Sequence, residues 1–365
     1  MNYLMAHMRT AEVCRHVAGI YIAALWLAFL LGGCSADADE EPNGVAMSAR
    51  ITLLTSINGP GDNGYNDMIT SAAMAVYHDN PGVPLLLRHP ADMEEAESMV
   101  ARWLDEAGRS GVPELLVMAS DSYTDIAREA ARQLGDNAHI LLLESPHTGM
   151  PEGVSTLRIG RFGAACLAGM MAAESQDALI VAANESDPLL RDAVDGFKQG
   201  YTSRSGGELR IAYLADDEAG YDMPGEAYSL MEGLEETFIF PLAGGSNSGI
   251  YKFTRENMFS LLLVAGMDVD CSEFSTRVPF SLTVNLDNIL RQLLSDWIES
   301  GRLPAHMEYN MGNSDCIGIT LNPHFLERAE IFLDYYADAD YWQRRHDSMR
   351  DDALTLEQKY YAATE

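Results

Sequence analysis

An alternation running from residue 49 onward constrains this chain more than any other feature. Short apolar runs take turns with stretches whose apolar residues recur at helical spacing, such as "DMEEAESMVARWLDEAGRSG" (92–111) and "SYTDIAREAARQLG" (122–135). The runs are "ARITLLTS" (49–56), "PLLLRH" (84–89), "ELLVMAS" (114–120), "HILLLES" (139–145), "STLRIG" (155–160), "ALIVAAN" (178–184), "LRIAYLA" (209–215), "TFIFPLA" (237–243), "SLLLVAGMD" (260–268) and "RVPFSLTVN" (277–285). They have strand length, and most lack the polar positions that one solvated face would need. Strands buried on both faces belong to parallel sheets covered by helices, so the pattern predicts an α/β fold. About ten such units exceed one open sheet and suit two Rossmann-like lobes with parallel sheets. In sheets of this kind ligands sit outside the carboxyl ends of the strands, and two facing lobes can close on one.

The chain has 365 residues, enough for about two domains, and nearly half of it is apolar. Its formal net charge of −31, with no Lys/Arg-rich run, makes nucleic acid an unsuitable partner. Cys14, Cys34, Cys166, Cys271 and Cys316 show no C-x-x-C spacing, so the sequence offers no metal site and no cofactor motif.

At the N-terminus, Arg9 and Arg15 precede the apolar run "VAGIYIAALWLAFLL" (17–31), which is of signal-peptide length and short for a membrane span. It ends in "LGGC", which looks like a bacterial lipobox. On that reading residues 1–33 are a cleaved signal peptide, and Cys34 carries the acyl chains, palmitate among them, that tether the protein to a membrane. A plain signal peptide and a type II anchor are the alternatives. Residues 34–48, with the polar and acidic "SADADEEPNG", read as a linker. Acids behind a lipidated Cys also resemble a surface-export signal of some Gram-negative lipoproteins.

Where the first strand gives way to a helix stands "DNGYND" (62–67). Asp, Asn and Gly suit a turn and a helix cap there, and the same place suits a ligand site. Asp62, Tyr65 and Asn66 are therefore binding candidates, with Ser56 just upstream. Ser120 and Asp125, around the end of the third strand, are cleft candidates or helix caps. Tyr65 and Phe240 either sandwich a flat base, which contributes about 1–3 kcal/mol, or serve as a lobe-edge cover and a core residue. Asp268 and Asp270, at a strand end, either accept hydrogen bonds from sugar hydroxyls or act as salt-bridged or capping carboxylates. The loop "AGGSNSG" (243–249), with Gly244, lacks the Lys of a phosphate cradle and lets backbone approach a ligand or turn tightly.

Several of these stretches resemble, in order, the motifs of the basic membrane protein family of nucleoside-binding lipoproteins. "DNGYND" is similar to its D-x-[SG]-F-N-[QD] signature, and "RFGAACLAGMMAA" (161–173) to its E-x-G-[SA]-[FY]-L-A-G-x-x-A-A segment. "DAVDGFKQGY" (192–201), "FIFPLAGGSNSGIY" (238–251), "VAGMDVD" (264–270) and "FSLTVNLDNIL" (280–290) resemble further family stretches, colinear over roughly residues 50–322. The resemblance implies the type I periplasmic-binding architecture, with a hinge of crossover segments between lobes. It also implies a monomer that feeds a nucleoside-like small molecule to an ABC permease. Two charged residues that help the family read its nucleoside are replaced here, an Asp by Ser56 and a Lys by Val284, with Arg277 or Asn285 as substitutes for the latter. Ligand specificity is thus expected to differ from that of a standard purine-nucleoside binder.

The expected division is 49–157 with 277–302 as lobe one, 158–276 with 303–345 as lobe two, and 346–365 as a C-terminal helical tail. In the stretch 327–365, Tyr335, Tyr336, Tyr341 and Trp342 are expected to dock on the protein's own lobe or on a partner. The expected function is a lipid-anchored extracytoplasmic solute-binding protein for ABC import, and not an enzyme. A surface scavenger or sensor on the same scaffold is the alternative, and a secreted nucleoside hydrolase a lesser one, since no G-x-S-x-G, H-E-x-x-H or metal-spaced aspartates occur.

Overall fold

The structure is a computed structural model that describes residues 47–173, 177–204, 207–257, 262–323, 325 and 340–364. The signal segment, Cys34, most of the linker, Tyr335 and Tyr336 lie outside the described residues.

The first sheet runs in the order β12-β5-β4-β3-β1-β2, every pair parallel. Its members are β1 (Arg50–Leu54), β2 (Leu85–Arg88), β3 (Glu114–Met118), β4 (Ala138–Leu143), β5 (Val154–Gly160) and β12 (His306–Asn310). Alternation along these strands fills two separate cores. Leu53, Leu115, Val117, Leu141 and Leu143 join the core that includes α1 (Tyr65–Asp79) and α8 (Leu286–Ser300). Leu54, Leu116, Met118, Ile140 and Leu142 pack with α2 (Met93–Ala107) and α3 (Thr124–Ala131) on the opposite side. Both faces are dry, as the unbroken apolar runs require.

The second sheet, β7-β6-β8-β9, is also parallel and comprises β6 (Ala178–Asn184), β7 (Leu209–Ala215), β8 (Phe238–Leu242) and β9 (Leu263–Val264). Ile180, Ala182, Phe238 and Phe240 face α4 (Phe162–Ala172) and α5 (Pro188–Arg204). Leu179, Val181 and Ile239 pack with α6 (Pro224–Leu230) and α7 (Asn247–Glu256).

Every residue of α4 is buried, and it lies against α5 at backbone distance. A Cβ at Gly169 would stand 2.2 Å from the Phe197 carbonyl oxygen, and one at Gly200 would stand 2.0 Å from that of Cys166. The glycines of "RFGAACLAGMMAA" and "DAVDGFKQGY" thus serve helix packing.

A small third sheet connects the lobes: β10 (Gly266–Asp268) runs parallel to β11 (Phe280–Val284), and β13 (Ile317–Leu321) pairs antiparallel with β11. The expected single strand over 260–268 breaks at Ala265 into β9 and β10, which belong to different sheets. A second difference concerns 303–345, assigned from sequence to lobe two. β12 within it pairs with β5 at the edge of the first sheet, and only after it does the chain return to β11 through β13. The edge place explains why β12 escaped notice, since "HMEYN" is only half-buried and carries no apolar run.

The C-terminal helix α9 (Tyr341–Thr364) starts before residue 346 and packs on α4, with Trp342, Ala353 and Tyr361 buried. Glu357, 1% exposed, accepts hydrogen bonds from the backbone N–H groups of Gly163 (3.1 Å) and Met311 (3.3 Å). It therefore caps α4 from a distant helix.

Candidate functional site

Both large sheets point their carboxyl ends at one cleft of about 400 Å³. The first contributes Ser56, Asn58, Asp62 and Tyr65 after β1, Ser120 and Asp121 after β3, Glu144 after β4 and Arg161 after β5. The second contributes Asp187, Leu189 and Leu190 after β6, Glu218, Tyr221 and Asp222 after β7, and Leu242, Gly244, Gly245 and Ser248 at β8 and beyond, while Met267 and Asp268 come from β10 of the small third sheet. A smaller hollow of about 190 Å³ shares Tyr65, Gly244 and Asp268 with it and adds Arg255 and Cys271.

The first-lobe rim is the "DNGYND" loop. The Asp62 carboxylate accepts from the N–H groups of Gly64 (3.0 Å), Asn66 (2.8 Å) and Asp67 (3.2 Å), and from the Asn66 side-chain amide (3.1 Å). Asp67 in turn accepts from the N–H groups of Gly61 and Asn63 at 2.7 and 2.8 Å. Asp62 supplies the cap that Gly64 at the N-cap position has no side chain to provide, and Asp67 fastens the loop ahead of the helix. Asn66 is 4% exposed, and its amide oxygen accepts from the Ser56 N–H and hydroxyl. Asp62, Asn66 and Ser56 are thus knitted to one another. Tyr65 differs, because its hydroxyl is shielded from solvent and has no hydrogen-bond partner.

Facing this rim is a charge cluster. The Arg161 guanidinium donates two hydrogen bonds to Glu144, at 3.0 and 2.8 Å, and approaches Asp268 at 3.6 Å. A planar fork on one carboxylate fixes the guanidinium in place. Burial disfavours the Arg161 cation, but Glu144 and Asp268 outweigh it and hold the guanidinium above its ordinary pKa. Burial raises the Asp268 carboxyl pKa; Arg161 pulls against this while Glu144 and Asp62 add to it. Burial also pushes up the Tyr65 phenol, reinforced by Glu144. Both Glu144 (φ 60°) and Asp268 (φ 64°) hold left-handed backbone conformations, a strain that clusters at functional sites.

In the second lobe the Tyr221 hydroxyl donates to Asp187, whose carboxylate also caps the start of α5 at the Leu189 N–H (2.8 Å). The Ser122 hydroxyl of the first lobe donates to Glu218 of the second, so a hydrogen bond spans the mouth. Burial raises the Glu218 pKa against the opposing Ser122 bond, and nearby Asp187 adds to the rise. The tight turn into the loop after β8 needs Gly244, whose φ is 52° and whose Cβ would meet the Tyr221 ring at 2.9 Å.

Of the residues singled out from sequence, Ser56, Asp62, Tyr65, Asn66, Ser120, Gly244 and Asp268 come together in the cleft. Three do not. Phe240 is fully buried in the middle of β8, where its ring stacks on Phe197 at 4.3 Å. Asp125 lies on the outer face of α3, 94% exposed and paired with Arg128 at 3.0 Å. Asp270 is exposed beyond β10 and caps the Ser272 N–H. Val284 is core, Asn285 is exposed at the start of α8, and neither these nor Arg277 lines the cleft.

The sequence reading missed Glu144, Arg161, Asp187, Glu218 and Tyr221 as cleft residues. All lie at or just beyond the carboxyl ends of recognised strands, so applying that rule to every strand finds them.

No protein-family model and no curated protein matches the sequence. Among solved structures the chain is similar to a solute-binding protein of an ABC transporter system from Aeropyrum pernix K1, with TM-score 0.64 and 18% identity over 85% of this chain and 90% of that one. It is similar to a transcriptional activator of the comK gene from Bacillus halodurans, with TM-score 0.61 and 12% identity over 84% and 98%. A sugar-binding protein of a sugar ABC transporter from Bacillus halodurans aligns with TM-score 0.54 and 14% identity over 79% and 100%. At such identities the likeness establishes the fold, the two-lobed α/β architecture of type I periplasmic-binding proteins.

Proposed function

We propose that this protein is an extracytoplasmic solute-binding protein, a divergent relative of the basic membrane protein family. In this reading it is tethered by lipid at Cys34, closes its lobes on a small polar, nucleoside-like ligand and delivers it to an ABC permease. The observation that carries the reading is the shared cleft: both sheets aim their carboxyl ends at one space, lined from either side by hydrogen-bonding groups, two tyrosines and aliphatic walls. The names of two structural neighbours, a solute-binding and a sugar-binding protein of ABC systems, support it. No helix among the described residues is long and apolar enough to cross a membrane.

The test is calorimetry and thermal unfolding of the purified protein against nucleosides, bases, sugars and amines. A ligand at about a hundred times its dissociation constant adds about 2.7 kcal/mol to the stability of the folded state. A panel that gives neither heat nor a thermal shift overturns the reading. Recovering a bound nucleoside chemically intact after long incubation separates binding from hydrolysis.

A second reading, a surface scavenger or sensor, is favoured by the acids that follow Cys34. Protease shaving of intact cells decides between the two. Cleavage supports surface exposure, and protection returns the protein to import on the inner side of the outer membrane.

A further inference from the structure

The cleft is lopsided in charge. Among the described residues, seven carboxylates line it against one guanidinium, and no lysine or histidine does. That guanidinium, Arg161, is already held by Glu144 and approached by Asp268, so it is not free for an anionic ligand. A phosphate or carboxylate entering here meets excess negative charge at short range in a partly dry space, where such repulsion is strongest.

A second feature points to what the cleft accepts. The Tyr65 hydroxyl has no partner and is out of solvent, although the residue lines the cleft. Its ring and that of Tyr221, one from each lobe, together with Leu189, Leu190 and Met267, give the acidic space aromatic and aliphatic walls. Carboxylates supply the counter-charge and ring faces the quadrupole that attracts a cation, while apolar walls hold its carbon skeleton. A metal ion does not fit this lining: no group of three acids, His or Cys among the described residues is placed to hold one.

We infer that the ligand of this cleft is a small organic cation, an ammonium or a cationic ring of nucleoside size. The inference rests on reading the cleft as a solute site, and it goes beyond that reading by fixing the sign of the ligand's charge. The ammonium or ring cation sits against Asp268 and the tyrosine faces, and closing the lobes brings Asp187 and Glu218 toward it. Neighbouring carboxylates whose protons burial helps to retain ionise more readily once the cation is present.

Matched probes of nearly equal shape, one cationic and one neutral in each pair, test this by calorimetry on the purified full chain. Nicotinamide riboside, a cationic nucleoside, is compared with its reduced 1,4-dihydro form, the neutral counterpart of nearly the same shape. Choline is compared with 3,3-dimethylbutan-1-ol, its uncharged carbon isostere, and ribose 5-phosphate supplies an anion. The expected result is that the cation of at least one pair binds about tenfold or more tighter than its neutral partner. That preference shrinks as salt is raised from about 50 to 500 mM, and Asp268→Asn, which keeps a side chain suited to the left-handed backbone, reduces it further. Neutral members that bind as well as or better than the cations overturn the inference and leave the solute-binding reading standing. If no probe and no member of the wider panel binds, both fall. If Asp268→Asn leaves the cation preference of the protein unchanged, the assignment to this cleft is overturned even though a cation binds.

Discussion

Two aspartates on the rim of the same cleft are used in opposite ways. At the start of α1, Asp62 spends its carboxylate on four hydrogen bonds from Gly64, Asn66 and Asp67. At the end of β10, Asp268 has a left-handed backbone, a raised pKa and an Arg161 nitrogen no nearer than 3.6 Å. The first builds the wall of the site. The second leaves acceptor capacity facing the space inside. A carboxylate's presence in a cleft therefore says little until its hydrogen bonds are counted.

Removing the cation between the two lobes perturbs this contrast most. Arg161→Met leaves Glu144 and Asp268 facing each other with no counter-charge, and a broken buried pair costs about 3–5 kcal/mol. Urea denaturation at neutral pH is expected to show a loss of that size, and a loss under 1 kcal/mol sinks the account of the cluster. Asp62→Ala strips the cap from α1, and a lost cap costs about 1–2 kcal/mol. The same measurement reads it, with hydrogen exchange rising first at residues 61–67.

Tyr65→Phe acts on the hydroxyl that has no partner. Removing an unsatisfied buried donor is neutral or stabilising by up to about 1 kcal/mol, so its melting temperature is expected to hold or rise while ligand affinity falls. A marked loss of stability without ligand implies a bond that the structure does not show.

The smallest effect is electrostatic. Asp268 and Glu218 have folded-state pKa values raised above their unfolded ones. Such groups bind protons more readily in the folded state, so stability falls as pH rises from the ordinary carboxylate range through the raised values. Asp268→Asn is expected to flatten that slope and to gain a few tenths of a kcal/mol at neutral pH. Thermal melts at about pH 4 to 7 check it, and a steeper slope in the variant reverses the sign.

The sheets were legible because their signal is local. Leu53 and Leu54, or Leu115 and Leu116, alternate between two dry cores, and apolar residues on both faces leave no alternative to a covered parallel sheet. β12 was not legible, since an edge strand needs few apolar residues and its partner β5 lies some 150 positions earlier in the chain. The aromatic candidates show the same divide. Phe240, inside β8, follows the strand's alternation into the core, whereas Tyr221 sits in a five-residue 3-10 helix, Glu218–Asp222, too short to show a period.

By itself, the sequence determined the class of architecture and the site's general place. Period-2 burial and helical spacing are short-range properties, and ligands at the carboxyl ends of parallel strands follow from topology. Only the tertiary structure decided which polar groups were already satisfied. Whether Asp62 or Asp268 has acceptor capacity left depends on which N–H groups fold against it. Whether Arg161 is a ligand-binding cation or a structural one depends on Glu144, seventeen residues away and just past the end of another strand. Hydrogen-bond satisfaction and desolvation are properties of distances in space, and spacing along the chain does not encode them one position at a time.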